Sequence, residues 1–166
     1  MSLVLKREFQ GFKFSLVVGR VIHVQGINST LPDGNHIIMW DFDNPDIEPS
    51  RHILRNLQST YRLPAIHLSR SHPGGGFHAY CLKKMSWLDS LHIVAGTHGV
   101  DPEYVRLCAM RAHWTLRLSD KGKGLPVFVE TIPSGWPEDV RPDELTSYVD
   151  YQVWASSHIL VPGEWK

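Results

Sequence analysis

His36-Ile37-Ile38-Met39-Trp40-Asp41-Phe42-Asp43 is an apolar run of strand length that ends in two acids with one residue between them. Side chains on a strand alternate faces, so Asp41 and Asp43 project to one side and Phe42 to the other, toward whatever that face buries. Two carboxylates placed together repel, and they are tolerated where a divalent cation or a solvated rim compensates them. A buried central strand delivers its last side chains to a fixed place at the sheet edge. The pair is therefore a candidate site for Mg2+ or Mn2+, which would in turn carry a nucleotide's phosphates. The bland alternative is a solvated edge, or one acid capping the next helix.

Some thirty-five residues on, Ser71-His72-Pro73-Gly74-Gly75-Gly76-Phe77-His78 is a glycine turn leading into a second apolar run. The glycines serve a turn needing positive φ, or their N–H groups cradle a phosphate oxygen, with Gly75 and Gly76 the candidates and Arg70, Ser71 and His72 supplying donors. His78, just past the glycines, is either a core histidine or a contact to a triphosphate oxygen or metal-bound group. Further on, alternation in His113-Trp114-Thr115-Leu116-Arg117-Leu118-Ser119 puts Thr115, Arg117 and Ser119 on one face. A guanidinium there suits bidentate phosphate binding, with Lys121 as a further contact, though a surface ion pair is the alternative. Asp120 is either a third metal acid or the first residue of a turn.

Around these motifs the chain reads as α+β. Residues 12–25 suggest one bent strand or a hairpin interrupted at Gly19, and 28–35 a polar turn. Asp46 caps a helix over 47–61, with Ile47, Leu54, Leu57 and Tyr61 as its stripe. Strands at 64–71 and 77–82 form a hairpin across the glycines. Ser86-Trp87-Leu88-Asp89 opens a helix with Trp87, Leu88 and Leu91 on its apolar face, and Asp101-Pro102-Glu103 opens another ending near Ala112. Residues 113–118 read as a strand paired through a turn with 127–132, then 133–142 as loop and 142–156 as an amphipathic helix through Leu145, Tyr148 and Trp154. Helices alternating with hairpins favour a largely antiparallel sheet over a doubly wound one.

The 166 residues suit one domain spanning 1–166, and the 42% apolar content suits a globular one. The formal net charge is zero, so any basic surface is local. No apolar run approaches the roughly 20 residues of a membrane span, and no signal-peptide pattern opens the chain, so an intracellular, cytoplasmic, soluble protein is expected. Cys81 and Cys108 sit in apolar patterns and read as buried free thiols, with no spacing for zinc.

The ordered motifs, Asp-x-Asp at a strand end, then Ser-x-x-Gly-Gly-Gly-x-His on a hairpin, then a late strand with charged residues, resemble those of the archaeo-eukaryotic primase superfamily, the primase-polymerases of archaea, eukaryotes, plasmids and phages. The likeness covers residues 36 to 121. It implies that Asp41 and Asp43 bind divalent metal, that Ser71 and His78 match the small residue and the phosphate-contacting histidine, and that Asp120, or else Glu130, is a third acid. It also implies an RRM-like sheet with flanking helices, a metal-dependent nucleotidyltransferase of primase or polymerase type, and nucleoside triphosphates with single-stranded DNA or a primer-template as partners. A minimal catalytic core, such as a phage or mobile element carries, fits the length.

Two other classes compete. A 2H-type phosphoesterase would use His67-Leu-Ser69 and His113-Trp-Thr115, two histidines facing across one cleft without metal. A non-catalytic, nucleic-acid-binding replication accessory module would stack bases on Phe77, Tyr80 or Trp114. Trp136, Trp154 and Trp165 read as packing for the last helix.

Overall fold

The computed structural model describes residues 3–18, 20–120 and 122–154. Lys121 and Trp165 lie outside them, as does the end of the expected last helix at 155–156. In order, the described elements are β1 (Leu3–Phe9), β2 (Phe12–Val18), β3 (Arg20–Asn28), β4 (His36–Phe42), α1 (Ile47–Tyr61), β5 (Ile66–Arg70), β6 (Phe77–Met85), α2 (Trp87–Ala95), α3 (Pro102–Arg111), β7 (Thr115–Arg117), β8 (Val127–Ile132) and β9 (Thr146–Trp154). The fold is α+β with antiparallel strand pairs, as the alternation of helices and hairpins predicts.

Two compact units are present, 1–24 with 149–166 and 25–148. In the first, β1 and β2 form a hairpin closed by Gln10 and Gly11 at φ 48° and 82°, the left-handed pair that a two-residue type I′ turn requires. The expected bent strand or hairpin over 12–25 is therefore corrected. Its first half pairs backward with β1, and its second half belongs to β3, in another sheet, because the reversal is made by Gln10-Gly11 and not within 12–25.

The larger unit contains the four-stranded sheet β4-β6-β5-β8. Its register sorts the side chains into two faces. Ile38, Trp40 and Phe42 align with Cys81, Ala79 and Phe77, and these with Ile66, Leu68 and Arg70. All but Arg70 of this set are buried, with Trp40, Phe77 and Ile66 fully inaccessible. Leu54 of α1 joins the same core, and Gln58 ties the helix to the carbonyls of Pro64 and Ile132 at 3.0 and 3.3 Å. The opposite face carries Met39 and Asp41, Tyr80 and His78, and His67 and Ser69.

The three caps form as read. Asp46, Ser86 and Asp101 accept the N–H groups of Glu48, Asp89 and Glu103 at 3.1, 3.1 and 2.8 Å. The apolar face of α2 forms as expected at Trp87 and Leu91, which pack against the core, and departs at Leu88. Ser90, Ile93 and Val94 are buried, while Leu88 is 73% exposed. Two buried indoles fix this rotation, since Trp114 donates to Ser90 Oγ at 2.6 Å and Trp40 to Thr97 Oγ1 at 3.1 Å. The stripe of α1 runs through Leu54 with Ile47 and Leu57 packed against the core, Ser50 is buried beside them, and Tyr61 is 38% exposed.

Two further expectations are corrected. Strand β7 does not pair with β8. It pairs with β3, Leu116 opposite Ile27, while β8 pairs with β5. The segment after Pro142 is not a helix. A single 3-10 turn, Pro142–Glu144, is followed by β9, and β3 is flanked by β7 and β9. Thr146, Tyr148, Val149, Tyr151 and Val153 supply the β-branched and aromatic content that favours extension over a helix started by proline alone. Both cysteines are buried free thiols, and burial pushes the Cys81 thiol up to about 12. No helix among the described residues is long and apolar enough to cross a membrane.

Candidate functional site

The row Asp41–His78–Ser69 crosses three neighbouring strands of the four-stranded sheet. Asp41 is the penultimate residue of β4, and Phe42 beside it is anchored in the core, which fixes where the acid emerges. His78 enters from β6 one residue past the strand's start. Its side chain is 9% exposed, its Nε2 stands 3.9 Å from Asp41 Oδ1, and no hydrogen bond joins the two.

Charge at this place is one-sided. Burial pushes the Asp41 carboxyl up to about 7, and the nearby Asp43 and Asp101 carboxylates add to that, against a smaller opposing effect of Arg117. Burial pulls His78 down to about 4, helped by the Arg117 and His72 charges. At neutral pH the pair is thus an imidazole beside a carboxyl near its midpoint. Asp43 lies one residue past the end of β4 and is exposed.

The sequence reading missed Asp101. It was legible as a helix cap, and it is one, but its N–H also donates to the Asp41 carbonyl at 2.8 Å. A bridge between Phe42 and Val100 brings the start of α3 to the end of β4. Local patterning carries no signal for such a pairing. Among the described residues, no three His, Cys, Asp or Glu side chains converge closely enough to enclose an ion by themselves.

The glycine loop is built for packing. Gly74 has φ +73°, which suits glycine. A Cβ on Gly76 would lie 1.7 Å from the Phe42 carbonyl oxygen. The Gly75 N–H donates to the His72 carbonyl at 2.9 Å, so that donor is already engaged within the turn. Ser71 is buried, its hydroxyl 3.1 Å from His72 Nδ1.

Two guanidinium groups bracket the loop. Arg117 donates to the Ser71 carbonyl at 3.0 Å and to the Ser119 carbonyl. Arg70 donates to the carbonyls of Gly75 and Pro45 at 2.9 and 3.3 Å and stacks over the Phe77 ring. All these acceptors are neutral, so among the described residues neither cation is hydrogen-bonded to a carboxylate, although Arg117 acts through space on Asp41 and Asp120. Asp120 is turned elsewhere. Its Oδ1 accepts the N–H groups of Gly122, Lys123 and Gly124 at 2.6, 3.0 and 2.9 Å, which holds its pKa low and closes the turn. Glu130 is paired to Arg51 at 2.7 Å.

The residues behind the competing readings serve local contacts. His67 stacks on Tyr80 and lies 3.0 Å from Thr131 Oγ1 and 3.3 Å from Glu138 Oε1. His113 sits 2.9 Å from the Arg111 carbonyl, next to a strand of the other sheet. Phe77 and Trp114, expected as exposed stacking platforms, are fully buried. Trp136 is half-exposed beneath the Arg62 guanidinium, 5.5 Å from its ring centre. The chain matches no family model, no curated protein and no solved structure.

Proposed function

We propose that the protein is a metal-dependent nucleotidyltransferase of primase-polymerase type, built on an RRM-like sheet and acting on nucleoside triphosphates and a DNA strand. The observation that carries this reading is the facing of half-buried Asp41 and buried His78 on adjacent strands, 3.9 Å apart with no hydrogen bond between them, with Arg117 close enough to act on both. The donor set fits Mg2+ or Mn2+. Two hard carboxylates from Asp41 and Asp43 would hold the ion, with phosphate oxygens and water completing the six positions that such ions require. A bound ion of this kind supplies charge neutralisation for the attacking hydroxyl and the leaving pyrophosphate.

The chain's own residues do the rest. Asp41 and Asp43 present negative charge from a rigid strand end, so that metal and triphosphate are oriented by the sheet. Neutral His78 donates a hydrogen bond to a phosphate oxygen without carrying charge of its own. Arg117, which acts on both Asp41 and His78, offsets part of the remaining phosphate charge.

Calorimetric titration with a deoxynucleoside triphosphate and manganese tests the reading. Wild type is expected to bind only with the metal, and Asp41→Ala/Asp43→Ala to lose binding at least a hundredfold. Equal binding by the double variant, or none by wild type, would sink it. Under the same reading Asp120 acts as a turn acid. Asp120→Ala is expected to lower the melting temperature by about 2–4 °C and leave manganese-triphosphate affinity within about twofold, since its oxygen serves three backbone N–H groups. A tenfold loss of metal affinity would instead make Asp120 a ligand.

A further inference from the structure

His67 is held at both ring nitrogens. Its Nδ1 lies 3.0 Å from Thr131 Oγ1 and its Nε2 3.3 Å from Glu138 Oε1. The sheet makes this placement. His67 on β5 is the cross-strand partner of Tyr80 on β6 and of Thr131 on β8, so the three side chains project from one face. The Tyr80 ring stacks on the imidazole, 4.8 Å between centres, and limits its rotation. Glu138 arrives from the segment 133–142, which is pinned on either side of it. Ser134 Oγ donates to the Leu63 carbonyl at 2.8 Å, the Asp139 N–H donates to the Leu82 carbonyl at 2.9 Å, and Val140 is buried.

With the ring neutral, these contacts set the direction of every proton. A carboxylate only accepts, so Nε2 carries the ring hydrogen and gives it to Glu138. Nδ1 keeps its lone pair, and the Thr131 hydroxyl donates to it. A hydroxyl bonded to an imidazole that a carboxylate orients is the arrangement that turns a weak alcohol into a nucleophile. Thr131 is exposed, so an electrophile reaches its oxygen from solvent. Charge selects the electrophile. Burial, and after it the Glu138 charge, push the Tyr80 phenol up, so the field beside His67 is negative. Such a field repels a phosphate and admits an uncharged carbonyl.

We infer that Thr131, His67 and Glu138 form a second reactive site, which accepts the acyl group of uncharged carboxylic esters. Thr131 Oγ1 attacks the ester carbon while its proton passes to His67 Nδ1. The bond from that carbon to the leaving oxygen breaks, and the proton goes to the departing alcohol. The acyl-threonine is then cleaved by water, deprotonated by the same imidazole, which releases the acid and restores the hydroxyl. The inference stands apart from the nucleotidyltransferase reading and uses neither Asp41 nor His78.

Reaction with p-nitrophenyl acetate, quenched in acid and mapped by peptide mass spectrometry, tests it. Wild type is expected to carry an acetyl group on Thr131 within an early burst of nitrophenol. Thr131→Ala is expected to lose the burst and Thr131→Ser to keep it. His67→Gln is expected to slow acylation about a hundredfold at an unchanged melting temperature, and Glu138→Gln to slow it as well. Wild-type acetylation confined to lysines or to His67 overturns the site, and so does a Thr131 adduct that forms equally fast in His67→Gln. Manganese-triphosphate calorimetry is expected to give the same result for Thr131→Ala as for wild type. Loss of nucleotide binding in that variant would make the threonine part of the other site and overturn this one.

Discussion

Asp41→Asn is expected to raise the stability of the protein at pH 8 while destroying its manganese-dependent affinity for triphosphate. The Asp41 carboxyl is shifted from 3.8 to about 7 by burial and by its acidic neighbours. A folded-state pKa above the unfolded value means that ionisation opposes folding. The penalty is absent below pH 4, grows as pH rises toward 7, and is complete above it. At about 1.4 kcal/mol per pKa unit, a shift of roughly three units amounts to up to about 4 kcal/mol. An amide keeps the shape and removes the charge, so the gain in urea midpoint should be large at pH 8 and vanish near pH 4. Manganese should stabilise wild type at pH 8 and not the variant, because binding of the ion to the folded state alone is linked to folding. A variant less stable than wild type at pH 8 would refute the account.

His78 opposes this slope. Its pKa is lowered from 6.5 to about 4, so the folded state resists a proton that the unfolded chain accepts. Stability is therefore lost as pH falls from about 6.5 to 4, while the Asp41 penalty is relieved over nearly the same range. In wild type the two trends largely cancel. Replacing either residue should expose the slope of the other: Asp41→Asn loses stability on acidification through pH 5, and His78→Gln gains it. The coexistence of two costly groups at one place is itself a functional signal, since a fold selected for stability alone would replace both.

What the sequence disclosed about this site follows the range of the forces involved. Strand β4, the hairpin across the glycines and the caps at Asp46, Ser86 and Asp101 depend on neighbours in the chain, and all were legible. The partners of β7, β8 and β9 were not, because pairing across long separations is decided by which apolar faces find each other. Alternation in Phe77 to Leu82 says that Phe77 and His78 point oppositely, but not which of them meets the core. Register against Phe42 buries Phe77 and leaves its neighbour at the site. Asp101 was hidden for the same reason, its second role depending on the Phe42–Val100 bridge. The register shift between β5 and β8, where Leu68 pairs with Glu130 but Ser69 with Phe128, leaves no composition signal, since Val-Phe-Val reads as strand in either register.

Gly76→Ala should be the most disruptive single methyl in the loop. The added Cβ would meet the Phe42 carbonyl oxygen at 1.7 Å and the Asp43 carbonyl carbon at 2.8 Å, both backbone atoms. Backbone at a paired strand end cannot yield by rotating, so β6 would have to separate from β4 just where His78 faces Asp41. A loss of about 3 kcal/mol is expected, with triphosphate binding reduced at least tenfold even at temperatures where the variant stays folded. Gly75→Ala is the control. Its Cβ would meet only the His72 ring, at 2.2 Å, and a side chain can swing aside, so a cost of about 1 kcal/mol is expected. Urea midpoints for the pair decide the matter. If the two variants are equally stable, the close approach of Gly76 to Phe42 is not what sets the spacing of the acid and the histidine. If only Gly76→Ala falls, the glycine is required by the packing of β6 against β4, whether or not its N–H ever meets a phosphate.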